Sequence, residues 1–308
     1  MDQEVSVEEF LEKLLEIAHP LAPFDLPLLD AHGASLAEDI FSEGLIVMQA
    51  GTRIRSTQIG LAASLGLNHL PSRPHPRVVV ISAGDDLVEP GQEIADGEEE
   101  FETNSWMLTT AVREAGATGY RVHTIPENQE QVKGIVEDQL VRADLIIISG
   151  ESKDDSFDMI TNALRELGDV TTLIPAMSDT GRFAYGLIGP DKTPVVTLPG
   201  DPVVAYMALE IFIRPMIRTM LGAPNIFRTR IKAILDNPAE SPAGKRSFIR
   251  VALDHKSGKG GSIATVLAGQ ESLMSLANAQ GLALMPEDLT SYKAGDVVDV
   301  LVLERSNN

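Results

Sequence analysis

Three polar stretches of this chain carry residue types that could bind an anion or a metal ion. They read SAGDDLVEPGQ (82–92), SGESKDDSFD (149–158) and TLPGDP (197–202), and each begins at the end of an apolar run. Because ligands of parallel α/β sheets bind beyond the carboxyl ends of the strands, these stretches are predicted to form the rim of one pocket.

The third stretch predicts a tight turn at Pro199 and Gly200 that leads into a long helix. Asp201 is suited to the N-cap of that helix, and Pro202 to its first position. The free amides and the dipole of a helix N-terminus attract phosphate, yet the Asp201 carboxylate can accept from those amides and would repel the phosphate. Both an anion site and a plain helix cap therefore stay open.

The second stretch begins with Ser149 and Gly150 and then supplies three acids, Asp154, Asp155 and Asp158. Carboxylates of this kind can hold Mg²⁺, which takes one or two of them together with phosphate oxygens. The alternative is an acidic loop whose side chains only cap the following helix.

The first stretch places Asp85 and Asp86 directly after Gly84. The two carboxylates could bind a metal ion or a ligand hydroxyl. A turn that merely ends the strand is the alternative interpretation.

An alternation of strands and helices is predicted to hold these stretches. Apolar runs rich in β-branched residues predict strands at 77–84, 119–125, 143–150 and 193–200. The segments between and after them predict helices at 104–115, 128–141, about 156–167 and 202–221. This order is typical of an α/β domain with a mostly parallel sheet and helices on both faces, and we place it at residues 71–223.

The two flanking segments have different patterns. In the N-terminal segment, residues 1–70, Ser6 with Glu9 forms a capping box that predicts an amphipathic helix from Val7 to about Ala18. In the C-terminal segment, residues 224–308, short strand-like runs alternate with Gly, Pro and Asn, which predicts a small β-rich domain resembling a barrel.

Composition excludes several classes of function. The chain of 308 residues has a formal net charge of −20, which disfavours binding to nucleic acid and to anionic membrane surfaces. It contains no cysteine, so disulfides, thiolate nucleophiles and Cys-ligated zinc are excluded. Its acidic N-terminus does not resemble a signal peptide, and no run is apolar enough for direct membrane insertion. A cytoplasmic protein is expected.

Five motifs in order resemble the MoeA/gephyrin E-domain family. They are DAHGASLAEDI, AGTRIRSTQIGLAASLGL, VVVISAGDDLVEPGQEI with ETNSWMLTTAVREAGA, TLPGDPVVAYMALEIFIRPMI, and GQESLMSLANAQGLALMPE with YKAGDVVDVLVL. The resemblance implies a central MoaB/MogA-like three-layer αβα domain, a C-terminal β-barrel-like domain and an N-terminal helical segment that forms a homodimer. It also implies adenylylated molybdopterin as the ligand, with molybdate and Mg²⁺.

The resemblance also assigns roles to individual residues. Asp158 falls on the family's active-site Asp, and Arg182 lies beside a family lysine position, so both are candidate catalytic residues. Asp86 and Asp158 are the candidate metal ligands. The candidate ligand-binding residues are Gly84, Asp85, Asp86, Ser149, Gly150, Pro199, Gly200 and Asp201.

Several positions depart from the family pattern. The two lysines of the family's loop are replaced by Ser178 and Gly181, the Asn of the Pro-Gly-Asn turn by Asp201, and the following Ser by Val204. In the second polar stretch, family glycines become acids, as at Glu151 and Asp155, and the Ser becomes Lys153. The family's inserted β-rich domain, expected after AEDIFSEGLIV, is missing. These changes make the predicted pocket more negatively charged, so it is expected to bind an anionic pterin poorly.

Two main hypotheses follow. The first is a shortened molybdopterin molybdenumtransferase. The second is a non-catalytic dimeric scaffold of the gephyrin type that binds a protein or peptide partner. A weaker third idea is a cationic ligand drawn by the acids of 151–158.

Overall fold

The computed structural model of the chain describes residues 3–94, 99–125, 128–150, 154–255 and 261–303. Within these ranges the N-terminal part contains β1 (Gln3–Val5), α1 (Val7–Glu16), β2 (Phe24–Pro27), β3 (Ser35–Leu36), β4 (Ile40–Ser42), β5 (Leu45–Met48), α2 (Ser56–Ser64) and β6 (His69–Arg73).

The central part contains β7 (Arg77–Ala83), β8 (Leu87–Val88), β9 (Glu100–Phe101), α3 (Asn104–Ala115), β10 (Thr118–Ile125), α4 (Gln129–Leu140), β11 (Leu145–Ser149), α5 (Asp154–Arg165), β12 (Gly168–Pro175), β13 (Phe183–Ile188), β14 (Thr193–Leu198), α6 (Pro202–Ala208) and α7 (Arg214–Met220). The C-terminal part contains β15 (Arg230–Leu235), β16 (Ala239–Glu240), β17 (Ser247–His255), β18 (Ser262–Val266), α8 (Leu273–Ala277), β19 (Gly281–Met285), β20 (Ser291–Tyr292) and β21 (Val297–Val302).

A central sheet of seven strands organises the middle of the chain, in the order β1-β12-β13-β14-β11-β7-β10. The pairs β14–β11, β11–β7, β7–β10 and β1–β12 are parallel, whereas β13 is antiparallel to both its neighbours. The predicted mostly parallel α/β sheet is confirmed. The apolar runs of β7 and β11 are interior strands of this sheet, and their side chains are buried on both faces.

Helices cover both faces of this sheet and make three layers. One core joins the sheet to α1, α3, α6 and α7, and includes Phe10, Leu108 and Phe212. The other joins it to α4 and α5, and includes Val132 and Leu164. The three-layer αβα architecture predicted from the sequence is therefore confirmed.

The sheet contains strands that the sequence patterns did not reveal. β12 and β13 form an antiparallel pair, and only the last residues of β12 are well buried, so its sequence carries no continuous apolar run. The pair packs its backbones closely, since a Cβ atom placed on Gly186 would lie 1.9 Å from the Asp169 carbonyl oxygen. β1 adds a further strand beside β12, so the N-terminal segment takes part in the central sheet.

Helix α1 packs within the chain. Its N-cap is as predicted, because the Ser6 hydroxyl accepts a hydrogen bond from the Glu9 amide at 3.0 Å. The Phe10 ring lies 5.2 Å from the Phe183 ring and 4.9 Å from the Phe212 ring, measured between centroids. The apolar stripe of α1 is therefore buried in the central core and does not serve as a free face for pairing between two copies.

The predicted long helix at 202–221 is interrupted. A π-helical turn at Leu209–Ile213 separates α6 from α7. Pro215, in the first turn of α7, has no amide hydrogen to donate to a carbonyl of the preceding turn, which explains the local change of hydrogen-bond pattern. The turn buries Glu210, whose carboxylate accepts two hydrogen bonds of 2.7 Å from Arg228.

The C-terminal part forms a closed barrel of five strands in the order β15-β18-β17-β19-β21. Its core includes Val251, Ala264 and Val300. The predicted barrel-like domain is confirmed, and closure of the ring removes the exposed strand edges of an open sheet.

The N-terminal part also contains a three-stranded sheet, β2-β6-β3, and a hairpin formed by β4 and β5. Glu43 and Gly44 form the two-residue turn of the hairpin, with φ angles of 50° and 79°. This short turn lies within the AEDIFSEGLIV stretch, just before the point where the inserted domain of the resemblance is expected. In the described part of the chain, no helix is long and apolar enough to cross a membrane.

Candidate ligand-binding site

Two of the three predicted polar stretches are joined by a residue that the sequence analysis did not single out. Asn104, the first residue of α3, donates from its Nδ2 atom to Ser149 Oγ at 2.8 Å and to the Gly200 carbonyl at 2.6 Å. The Ser149 hydroxyl donates to the Pro199 carbonyl at 3.2 Å. Ser149, Pro199 and Gly200 therefore meet at the carboxyl ends of β11 and β14, as predicted.

The orientation of the Asn104 amide is fixed by chemistry. A backbone carbonyl can only accept, so the amide nitrogen must face Gly200. The Oδ1 atom then points away and is buried without a hydrogen-bond partner. Such a buried acceptor costs roughly 1–3 kcal/mol, so the junction keeps one unsatisfied polar atom close to the strand ends.

Asp201 acts as a helix cap. Its Oδ1 atom accepts a hydrogen bond from the Val204 amide at 2.9 Å, and Pro202 follows as the first residue of α6. The cap predicted from the sequence is confirmed. One amide of the helix N-terminus is thus already bound to a carboxylate, which weakens this turn as an anion site.

Asp158 and Arg182 form an ion pair. Arg182 Nη1 lies 2.7 Å from Asp158 Oδ1, and the guanidinium stacks on the Phe157 ring at 4.3 Å. Asp158 is 60% exposed and Arg182 is 22% exposed. The structure brings the two candidate catalytic residues together, but it also shows that part of the charge of each is neutralised by the other.

Gly84, Asp85 and Asp86 follow the end of β7, as predicted. Gly84 is buried, Asp85 is exposed and Asp86 is half-buried. The Asp86 carbonyl accepts from the Glu100 amide at 2.9 Å, which ties this turn to β9. Gly150 packs tightly under α5, because a Cβ atom on it would lie 2.6 Å from Ile160 Cδ1.

The side chains of the other charged residues in the second polar stretch are not described. Glu151 and Lys153 lie outside the described residues, and for Asp155 only the backbone, in α5, is described. Their predicted effect on the charge of the pocket stays a prediction.

A buried polar network holds the segment between β7 and α3. Arg121 Nε donates to Ser105 Oγ at 2.6 Å, and its Nη2 atom contacts Glu102 at 3.2 Å and also Glu89. Burial by itself raises the pKa of the Glu89 carboxyl, but the hydrogen bonds from Arg121 and His123 outweigh it, and the pKa is lowered. The network stabilises the first polar stretch and the start of α3, which carries Asn104.

A cavity of about 450 Å³ lies between the loop after β12, the N-terminus of α6 and the barrel. Its charged lining consists of one arginine and four acids, namely Arg250, Asp179, Asp201, Glu240 and Glu271. Its volume is within the range of small-molecule sites. Asp158 and Arg182, both described, are not among its lining residues.

Arg250 is the buried charged residue in the lining of this cavity. It lies on β17, is 8% exposed, and its Nε atom is buried without a hydrogen-bond partner. Burial lowers the pKa of Arg250, and the carboxylates of Asp179, Asp201 and Glu271 act in the opposite direction. A buried guanidinium with an unused donor is suited to bind a carboxylate, phosphate or other oxyanion.

The backbone of Arg250 is clamped by one amide side chain. Gln270 Oε1 accepts from the Arg250 amide at 2.9 Å, and Gln270 Nε2 donates to the Arg250 carbonyl at 3.0 Å. The backbone that carries the guanidinium is therefore held in place by two hydrogen bonds to Gln270, besides those of its own strand.

Asp179 reaches the cavity from a loop that is attached to the barrel. The Ser178 amide donates to the Arg246 carbonyl, and the Arg246 amide donates to the Ala176 carbonyl, each at 2.9 Å. Thr180 Oγ1 donates to the Met177 carbonyl at 2.9 Å. Between these contacts Asp179 adopts a left-handed conformation with φ 59°, a conformation that Asp tolerates better than most residues.

The described residues do not form a ready site for Mg²⁺. Among them no group of three or more His, Cys, Asp or Glu side chains converges on one point. Asp158, one of the two predicted ligands, is paired with Arg182. We therefore assign no step of a reaction to Mg²⁺.

Comparison with known proteins identifies the family. Residues 79–219 match the probable molybdopterin binding domain, and residues 232–303 match the MoeA C-terminal region (domain IV). The chain is 36% identical over 271 residues to molybdopterin molybdenumtransferase 2 of Mycobacterium tuberculosis. The chain belongs to the MoeA family.

Further comparisons give the extent of the likeness. Molybdopterin molybdenumtransferase 1 of the same organism is 30% identical over 272 residues. The two alignments cover 85% and 87% of this chain, but only 65% and 64% of the relatives, so the chain spans less than two thirds of their length. The crystal structure of the molybdopterin biosynthesis MoeA protein from Pyrococcus horikosii has a TM-score of 0.80 at 19% identity, covering 98% of this chain and 100% of that one. That likeness shows that the two share the MoeA fold.

In this MoeA-family chain the cavity lies between the two matched regions. Asp179 and Asp201 belong to the first, and Arg250 and Glu271 belong to the second. Sequence analysis did not single out Arg250, although one signal was present. Arg250 stands in the strand-like run RSFIRVAL, where a charged residue among apolar ones is expected to have a specific partner.

Proposed function

We propose that the chain acts in molybdenum cofactor biosynthesis, as a MoeA-type protein that binds a phosphorylated pterin of the molybdopterin class. The observation that carries this proposal is the cavity at Arg250. It lies between a region that matches a molybdopterin binding domain and a region that matches the MoeA C-terminal domain. Molybdenum insertion, the activity in the names of the relatives, is the proposed reaction.

Arg250, the Pro199–Gly200 turn and the Asp158–Arg182 pair each have a proposed task. Arg250 binds the anionic end of the ligand, because its buried guanidinium has a donor to spare. The turn at Pro199 and Gly200, held by Asn104, supplies backbone beside the ligand. Asp158 and Arg182 are the proposed catalytic pair, and their ion pair has to open before either side chain can bind a substrate group.

The cofactor and the location of the reaction are part of the same proposal. Adenylylated molybdopterin is the proposed substrate, and Mg²⁺ would have to enter with its phosphate groups, since the described side chains do not hold the ion alone. We place the reaction in the cytoplasm, in keeping with a chain that lacks cysteine.

Titration calorimetry tests the proposal. Wild-type protein, Arg250→Gln and Arg165→Gln are titrated with adenylylated molybdopterin. Arg165 is an exposed arginine at the end of α5 and serves as the matched control. We expect binding by the wild type and the control, and at least a tenfold weaker association for Arg250→Gln. If the wild type neither binds the compound nor rescues a strain that lacks the family enzyme, the proposal fails.

A second candidate function is a scaffold that binds a peptide. It is favoured by an apolar groove of about 360 Å³ between α1, the π-helical turn and the barrel, with walls that include Val7, Leu11, Phe227 and Leu284. Phe227 is 59% exposed. Arg230 also lines the groove, so a peptide with apolar and acidic side chains would match it.

A variant pair distinguishes this second candidate. Phe227→Asp places a charge in the groove, whereas Val141→Asp places one at another highly exposed position. In affinity capture, a partner of the groove is retained by wild type and Val141→Asp and is lost by Phe227→Asp. Capture that is equal for all three proteins contradicts a peptide site in the groove.

Homodimer formation is also proposed, and exposed apolar side chains of the N-terminal segment support it. Leu29, Phe41, Leu45 and Phe24 are all more than half exposed. Light scattering is expected to show a dimer for the wild type and a monomer for Phe41→Ser with Leu45→Ser, both on the β4–β5 hairpin. A monomeric wild type contradicts the proposal.

A further inference from the structure

The Arg250 cavity has a charge pattern that an anion alone does not explain. One buried arginine and four exposed acids line it. An oxyanion at Arg250 would be repelled by these carboxylates. A guest of this cavity therefore needs a second group that the carboxylates attract, in addition to its anionic end.

A metal ion is a poor candidate for that second group. Ca²⁺ and Mg²⁺ need several oxygen ligands that converge on one point. Among the described residues, no three acidic or histidine side chains do so. The carboxylates are spread along the lining, which suits an organic ligand that presents N–H donors away from its anionic end.

Among the four acids, Asp179 is the best placed to accept hydrogen bonds from the N–H groups of such a ligand. Asp201 already accepts from the Val204 amide, as the cap of α6. Asp179 has a left-handed backbone conformation and directly follows Ser178, whose amide is hydrogen-bonded to the Arg246 carbonyl beside the barrel. Asp179 and Arg250 both line this cavity, and Asp179 is the carboxylate that most raises the pKa of Arg250 against the effect of burial.

We propose that Asp179 determines ligand specificity by accepting two hydrogen bonds from the amino-pyrimidinone edge of a pterin, while Arg250 holds the anionic end. That edge carries a 2-amino group beside a ring N–H, two parallel donors that match the two oxygens of a carboxylate as a guanidinium does. This inference rests on the proposed function. It reconciles the negative lining with an anionic ligand, because opposite ends of the same molecule contact the acid and the arginine.

Two matched compounds measure how much the amino-pyrimidinone edge contributes to binding. Pterin-6-carboxylate carries the amino group and a carboxylate, whereas lumazine-6-carboxylate has the same carboxylate but a 2-oxo group in place of the amino group, with a hydrogen on the adjacent N1. Wild-type protein is expected to bind the pterin roughly tenfold more tightly than the lumazine. Titration calorimetry measures both affinities, with the melting temperature as a check of folding.

Three variants assign the effect. Asp179→Asn is expected to reduce the preference for the pterin to less than about threefold, because one acceptor oxygen becomes a donor. Arg250→Gln is expected to weaken both probes by a similar factor and to keep the preference. Asp191→Asn, in the turn between β13 and β14 at the opposite end of the sheet, is the matched control and is expected to behave as the wild type.

Two results would overturn the inference in different ways. A preference that is absent in the wild type, or that survives in Asp179→Asn, removes the role of Asp179 but leaves the proposed function in place if adenylylated molybdopterin still binds. If the wild type binds neither of the two probes nor adenylylated molybdopterin, both the role of Asp179 and the proposed function are contradicted.

Discussion

Arg182 donates a hydrogen bond of 2.7 Å to Asp158, so the two residues that the resemblance suggests as catalytic candidates are in direct contact. The pair lies outside the cavity formed around Arg250. The chain therefore keeps two separate arginines near the strand ends, one paired and solvent-accessible, the other buried with an unused donor.

Breaking the Asp158–Arg182 pair should change ligand binding more than stability. Asp158→Asn is expected to alter the free energy of unfolding by less than about 1 kcal/mol, because Asp158 is largely exposed. The same variant should bind inorganic phosphate more tightly, since it removes one negative charge beside Arg182, and Asp158→Asn with Arg182→Gln should lose that gain. Urea unfolding and phosphate titration check both, and an unchanged phosphate affinity in Asp158→Asn would contradict the prediction.

The buried pair between Glu210 and Arg228 should behave differently. The Glu210 side chain is 1% exposed and the Arg228 side chain 15%, and their two hydrogen bonds join the π-helical turn to the segment that leads into the barrel. Glu210→Gln is expected to cost about 3–5 kcal/mol, since it leaves the buried Arg228 uncompensated. Lys232→Ala, from an exposed pair with Asp299, is the control and should cost less than about 1 kcal/mol. Equal losses in urea unfolding would show that burial is not the cause.

Two glycine substitutions should have opposite effects. Gly186→Ala is expected to destabilise the protein by more than about 3 kcal/mol, because its Cβ atom would overlap the Asp169 carbonyl of the neighbouring strand. Gly134→Ala, in the middle of α4 where a Cβ atom meets nothing within 4 Å, is expected to stabilise it by roughly 1 kcal/mol. Thermal unfolding of the two variants checks the pair, and a Gly186→Ala protein as stable as the wild type would show that β12 and β13 do not pair as described.

The Glu89 carboxylate should make stability fall at acid pH. Its pKa is lowered in the folded protein from an ordinary value of 4.5, so its stabilising contribution is full above that value and is lost as the pH falls through the folded pKa. Glu89→Gln should therefore be less stable than the wild type at pH 7, and the difference should shrink below about pH 4.5. Urea unfolding at the two pH values measures it.

Glu12→Gln, an exposed acid of α1, is the control for this experiment and should show little difference at either pH. A gap between wild type and Glu89→Gln that stays constant on acidification would mean that the contacts of Arg121 with Glu89 do not depend on the charge of the carboxyl.

The sequence predicted the central architecture well because strong local signals agree with it. The apolar runs of β7 and β11 and the Ser6 and Asp201 caps all lie where the pattern places them. The β12–β13 pair was missed, since an edge region with alternating exposure has no continuous apolar run. The π-helical turn was missed because the apolar pattern continues regularly through it. Only Pro215, which lacks an amide hydrogen, marks the change of hydrogen-bond pattern.

The candidate site was only partly predictable for a different reason. Ser149, Pro199 and Gly200 meet because parallel strands end at the same edge, which a sequence can reveal. Arg250 comes from a barrel that is distant in sequence, and its approach to Asp179 depends on how the barrel docks on the loop after β12. No local pattern encodes that docking, so the resemblance directed attention to Arg182 instead.

The central claim is that the cavity between Asp179 and Arg250 binds a molybdopterin-type ligand. A crystal structure of the protein with adenylylated molybdopterin tests it most directly. The account predicts an oxyanion of the ligand within hydrogen-bond distance of the Arg250 guanidinium, and the amino-pyrimidinone edge within hydrogen-bond distance of the Asp179 carboxylate. A ligand seated elsewhere, with neither residue in contact, would contradict it.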